Sequence, residues 1–209
     1  DWSWSRGLGD VYKRQGQDVG GEGGLNEALP QINVDQVYSE YGLTGKDIHI
    51  AVLDTGIDTD HIDLSDSVES QACFADFCPN GADNAEDDNG HGTHVSGIIS
   101  SAGVSSSAGV ARNTRIHAIK VLDSSNGFSS SSIIIEALDH IINNLPQVNL
   151  VNMSLGTFDR FESFCDQQNI YTRAFATAIN TLHDRGTLSF VASMNNASSN
   201  SISAPACIS

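Results

Sequence analysis

Apolar residues in this chain come in short, dense runs separated by stretches with a helical step, and that alternation predicts a parallel sheet joined by crossover helices. Ile48 to Leu53, Arg115 to Leu122, Val148 to Met153 and Thr187 to Ser193 are rich in Val, Ile or Leu and read as buried strands. Between them Ile134, Leu138, Ile141 and Leu145 recur at three- and four-residue steps, as do Phe175, Ile179 and Leu182 ahead of the stop signal Gly186. These two stretches are the crossover helices. The expected fold class is therefore α/β.

Residues 58 to 90 break the pattern. They are dense in Asp, Asn and Gly, end in the turn signal Asp88-Asn89-Gly90, and read as one long irregular segment. The serine tracts Ser105 to Ser107 and Ser129 to Ser132 are short, flanked by periodic segments, and read as loops. Residues 1 to 24 have no periodicity, and Val11 to Gln15 resembles translated adapter sequence, with a flexible propeptide remnant the alternative, so they stand outside the domain assigned to residues 25 to 209.

Composition narrows the partners. With 10 Lys and Arg against 26 Asp and Glu, the formal charge of -16 repels phosphate backbones and anionic lipid, which excludes nucleic acid and the membrane surface as partners. No apolar run is long enough to span a bilayer, and the start of the chain lacks a signal-peptide pattern, so any export signal is expected outside it. Cys73, Cys78, Cys165 and Cys207 do not space as paired zinc knuckles. An even count fits two disulfides in any of three connectivities, or buried free thiols, and the disulfide reading implies a secreted or extracellular protein.

Two boxes carry chemistry. The first, His49 to Asp58 (His-Ile-Ala-Val-Leu-Asp-Thr-Gly-Ile-Asp), sets Asp54 where a strand runs out, the rim at which open parallel sheets gather functional groups. The second, Asn89 to Gly97 (Asn-Gly-His-Gly-Thr-His-Val-Ser-Gly), sets His91 at the start of a helix between two glycines. Taken alone, Asp-Thr-Gly also occurs in aspartic proteases, and His91 with His94 and Asp54 is part of a metal-site pattern. One copy of the acid box and no third nitrogen or sulfur at matching spacing weaken both alternatives.

In the order aspartate then histidine, the boxes resemble those of the subtilisin-like serine proteases. The resemblance implies a three-layer fold with a mainly parallel sheet flanked by helices, and an Asp-His-Ser triad with Asp54 and His91 as its acid and base. It extends to Val151 to Gly156, whose Ser154, Leu155 and Gly156 would line one side of a peptide groove, with Gly127 to Ser129 as the opposing edge. It also covers Phe190 to Asn196, where Asn195 matches the oxyanion-hole asparagine and Asn196 is a substitute. Met194 departs from the family's glycine.

The serine box of the family does not occur before the chain stops at Ser209, fourteen residues after Asn195. The chain is thus expected to be the front two thirds of a serine endopeptidase domain with its C-terminal part missing, unable to form an acyl-enzyme and poorly soluble. The resemblance further implies a protein or peptide substrate, a monomer at full length, and no required cofactor. Structural calcium is common in the family, and Asp63 matches one such ligand, although the loop Ser100 to Ala108 lacks acids. Asp83, Glu86, Asp87 and Asp88 read as a solvated loop, with calcium the alternative, and their charge beside His91 favours basic substrates. A non-catalytic peptide-binding relative of the same fold is the alternative function, with a metal hydrolase third.

Overall fold

The computed structural model describes residues 25–209, so the segment set apart at residues 1 to 24 lies outside the described residues. Two short helices, α1 (Leu25–Gln31) and α2 (Val34–Tyr41), open it. Strands β1 (His49–Asp54), β2 (Val68–Cys73), β3 (Arg115–Lys120), β4 (Leu150–Met153) and β6 (Leu188–Val191) form one sheet in the order β2-β3-β1-β4-β6. Every pairing in it is parallel. Helices α3 (His91–Ser100), α4 (Ser131–Asn144) and α5 (Ile170–Asp184) supply the crossovers.

Because successive side chains of a strand point to opposite faces, each buried strand must find apolar cover on both sides. Ala51, Leu53, Ile119, Val121, Val151 and Met153 pack under α4 and α5 through Ile134, Leu138, Ile141, Phe175 and Leu182. Ile50, Val52, Ile116 and Ala118 form the other face with Ile57, Leu64, Val95 and Ile99. The result is three layers.

The helices begin where the sequence provides caps. Ser130 accepts the Ser132 N–H ahead of α4, and Asn169 and Thr172 form a reciprocal capping box ahead of α5. After α5, the Arg185 guanidinium donates to the carbonyls of Ile142 and Ile141 (2.9 and 3.2 Å), which joins the two helices on that face. No helix among the described residues is long and apolar enough to cross a membrane.

One expectation is corrected. Residues 58 to 90 are not irregular throughout, because Val68–Cys73 is the edge strand β2, paired with β3 and slipped in register between Val68 and Ser70. Its letters, Val-Glu-Ser-Gln-Ala-Cys, are too polar to signal a buried strand, since an edge strand needs cover only in part. A second sheet, β5 (Arg160–Phe161) against β7 (Ile202–Ser203), is antiparallel and two residues long, below what periodicity reveals. Gly127 closes a turn in which its carbonyl accepts the Asp123 N–H (2.8 Å) and its N–H meets the Asp123 carboxylate (3.0 Å).

Both cysteine pairs are joined, Cys73 to Cys78 and Cys165 to Cys207, with sequence separations of 5 and 42. Loop-closure entropy assigns about 4 kcal/mol to the longer link and about 2 kcal/mol to the shorter. Replacing Cys165 and Cys207 together by alanine is therefore expected to lower the free energy of unfolding in urea more than the Cys73, Cys78 double replacement. An equal or reversed ranking would contradict this.

Candidate active site

Asp54 ends the central strand β1 and is fully buried. Its backbone carbonyl accepts two N–H groups from the end of the neighbouring strand, Val121 (2.9 Å) and Leu122 (3.1 Å), which fixes the residue against β3. The side-chain Oδ1 accepts the Thr55 N–H at 2.7 Å and lies 2.7 Å from Nδ1 of His91. Oδ2 has no partner among the described residues. The acid and the imidazole, 37 positions apart, meet at the carboxyl end of the sheet.

His91 is the first residue of α3, and the glycines on either side have different tasks. Gly90 takes φ 105°, a left-handed turn into the helix that a side chain would strain. Gly92 is a matter of space: a Cβ there would lie 2.1 Å from the Gly56 carbonyl oxygen and 3.1 Å from Asp54 Oδ1. Only glycine lets α3 approach β1 closely enough for the ring to reach the acid.

The carboxylate of Asp87 holds this helix start in place. It accepts the backbone N–H groups of Asn89 (3.0 Å), Gly90 (2.9 Å) and Thr93 (3.0 Å) together with the hydroxyls of Thr93 (2.5 Å) and Thr55 (2.9 Å). Thr55 in turn accepts the Gly92 N–H at 2.9 Å, so one carboxylate ties the residue beside Asp54 to the residues around His91. Burial works to raise the Asp87 carboxyl, and the bonds from Gly90, Thr93 and Asn89 outweigh it and hold it below its ordinary value. Asp87 is thus a helix cap, not part of a solvated loop as the sequence reading has it.

Lys120 is the second residue that the motifs did not mark. It is fully buried, faces Asp54 in strand register, and donates from Nζ to the Thr55 carbonyl (2.5 Å) and to Asp88 Oδ1 (2.6 Å). A buried ammonium persists only when paired and hydrogen-bonded, and here both conditions draw the Asp88 loop onto the end of β1.

The hydrogen bond from Asp54 raises the His91 imidazole above the usual histidine value; burial opposes it, while the charges of Asp54 and Asp87 add to it. About a quarter of the side chain (26%) remains open to solvent. Such a ring can take a proton from a substrate-side group while its tautomer is held from behind.

The remaining expected residues lie along the same rim. Ser154, Leu155 and Gly156 follow β4, the neighbour of β1, and Leu155 is buried. Asn195 stands exposed in a bend after β6, the next strand, with Asn196 beside it. Gly127 sits in the turn after β3 described above. An open cleft of about 590 Å³ beside the helix start is lined by Asp58, His61, Glu86, Asp87, Asp88 and His94. Among the described residues no three His, Cys, Asp or Glu side chains are arranged to hold a metal ion.

Calcium, implied at Asp63, does not fit the atoms around it. The carboxylate accepts the N–H groups of Val104 and Ser105 and the hydroxyls of Ser105 (2.6 Å) and Ser106 (3.0 Å). Backbone N–H groups cannot ligate a cation; they supply the positive charge themselves. Burial acts to raise the Asp63 carboxyl, and these bonds from Ser105, Val104 and Ser106 hold it below its ordinary value.

Against this geometry the comparisons are decisive. A family model described as Subtilase family matches residues 45–209. The chain belongs to the subtilase family. It is 36% identical over 136 residues to the major intracellular serine protease of Bacillus subtilis (strain 168), covering 63% of this chain and 41% of that protein. To the minor extracellular protease Epr of the same organism it is 35% identical over 185 residues, covering 87% of this chain and 25% of that one. To subtilisin E it is 37% identical over 129 residues, covering 61% of this chain and 32% of the other. Among solved structures it resembles Sphericase, with a TM-score of 0.65 and 30% identity over 83% of this chain and 56% of that one. The chain spans 25 to 41% of the length of these curated relatives.

The raised His91 value links the dyad to stability. A histidine whose folded value exceeds its unfolded one stabilises fully below the unfolded value, about 6.5, and loses that contribution as pH rises through the folded value. Between pH 5 and 9, the stability gap between the native chain and Asp54→Asn should be widest at the acid end and narrow with rising pH. A gap independent of pH would contradict the dyad.

Proposed function

We propose that this subtilase chain is part of a serine endopeptidase in which His91 is the general base and acid and Asp54 orients and stabilises its ring. The observation that carries the reading is the 2.7 Å contact between Asp54 Oδ1 and His91 Nδ1. With Nδ1–H committed to the acid, Nε2 is left as acceptor: it takes the proton of a serine hydroxyl attacking a peptide carbonyl and returns it to the leaving amine. The nucleophilic serine lies outside the described residues. Asn195 donates from its amide to the oxyanion, and Ser154 to Gly156 pair with the substrate backbone.

The substrate is a protein or peptide, and the acidic cleft beside His91 favours basic side chains. No cofactor is required, since hydrogen bonds replace a cation at Asp63 and the triad needs none. Two disulfides support an oxidising, extracellular site of action, and the relatives include an extracellular protease as well as an intracellular one. The protein acts as a monomer.

A fluorophosphonate probe, which reports an activated serine, is expected to leave this 209-residue chain unlabelled. In the complete protein it should label one serine, and Asp54→Asn should lower kcat about 10⁴-fold, the loss known for serine-protease triads. Stoichiometric labelling of the 209-residue chain, or an Asp54→Asn enzyme of full activity, would contradict the proposal. For the cofactor, the thermal midpoint should be the same in calcium and in chelator; a midpoint that climbs with calcium would overturn the account of Asp63.

A further inference from the structure

The crevice next to the oxyanion asparagine is filled from within. Strands β4 and β6 stay in register through Met153 and Val191, and the Ala192 N–H still reaches the Met153 carbonyl at 3.0 Å. Beyond that bond the two chains leave the sheet as Ser154 to Gly156 and Ser193 to Asn195. These segments lie at the carboxyl ends of the strands, the rim at which open parallel sheets hold ligand groups.

Three residues occupy that space. A Cβ built on Gly156 would lie 2.7 Å from Met194 Cγ, 2.8 Å from Met194 Sδ and 3.4 Å from Ser203 Cβ. The thioether of Met194 therefore rests directly on the Gly156 backbone. Ser203 behind it is almost fully buried, and its hydroxyl has no hydrogen-bond partner among the described residues. The walls are held from outside by the Thr157 N–H on the Ala204 carbonyl (2.8 Å), the Cys165 N–H on the Cys207 carbonyl (2.9 Å) and the disulfide between those cysteines. Met194 itself adopts φ 69°, a left-handed conformation that suits glycine better than a side chain.

Resting on the peptidase reading above, we propose that Met194 determines specificity by plugging this crevice, so that the substrate residue on the acyl side of the scissile bond must be small. With its peptide backbone along Ser154 to Gly156 and its reacting carbonyl at Asn195, a substrate directs that residue's side chain between the β4 and β6 ends. Glycine or alanine leaves the thioether where it is. Phenylalanine or leucine has to displace it from Gly156 against walls fixed by a disulfide and two backbone hydrogen bonds.

The test needs no nucleophile. Two fluorescent octapeptides, identical except for a C-terminal Ala or Phe carboxylate, are titrated by anisotropy against the native chain, Met194→Gly and Met194→Leu. The native chain should bind the Ala peptide about 10-fold or more tightly over the Phe peptide, the scale set by steric exclusion from an apolar pocket. Met194→Gly should tighten the Phe peptide by a similar factor and change the Ala peptide little, while Met194→Leu keeps the native ranking. Glycine fits the φ of this site, so its thermal midpoint should not fall, which separates a pocket effect from misfolding.

Native preference for the Phe peptide, or a ratio unchanged by Met194→Gly, would overturn the plug and leave the peptidase reading standing. Failure of both peptides to bind all three chains would instead remove the groove, and the plug with it.

Discussion

The hydrogen bond between a buried carboxylate and an imidazole about a quarter open to solvent organises this molecule. Asp54 is fully buried, so the surroundings must supply donors to its oxygens and hold the ring within reach. Strand β3 pins the Asp54 carbonyl, Thr55 donates to Oδ1, and the His91 ring closes the set. Thr55 is the next residue in the chain, whereas the other partners come from the end of β3 and from α3. The contact therefore exists only when the parallel sheet has formed and α3 has docked on it.

Charge at this rim is arranged in layers. Behind the dyad, Asp87 satisfies the orphan N–H groups at the start of α3, and the fully buried Lys120 answers Asp88 and the Thr55 carbonyl. Beside them opens the acidic cleft that Asp87 and Asp88 also line, compatible with a chain of net charge -16. The same economy operates at Asp63, where loop hydroxyls and N–H groups satisfy a buried carboxylate. Neighbouring backbone departs from common conformations at the rim too, as at Gly90 and Met194.

What could be read from the letters was whatever is local. The runs at β1, β3, β4 and β6 announce themselves because a strand buried on both faces must be apolar throughout, and α4 and α5 because their stripes repeat. Asp54 and His91 were legible through boxes of ten residues or fewer. Lys120 was not, since it reaches a carbonyl 65 positions away and a carboxylate 32 away, and the role of Asp87 was hidden because its tie to Thr55 spans 32 positions and its acidic neighbours read as a solvated run. The edge strand Val68–Cys73 was hidden by the polarity its position permits, and β5 and β7 by their length. The plugging side chain was visible as a departure at Met194, yet what it covers became clear only when Gly156 and Ser203 came to lie against it.

The most direct test of the central contact is the tautomer of His91, read from ring nitrogen-15 shifts of the selectively labelled chain across pH. The account predicts a neutral ring with its proton on Nδ1, a downfield Nδ1–H resonance lost in Asp54→Ala, and protonation at a pH above the usual histidine value. A ring protonated on Nε2, titrating at or below the ordinary value and indifferent to Asp54, would contradict it.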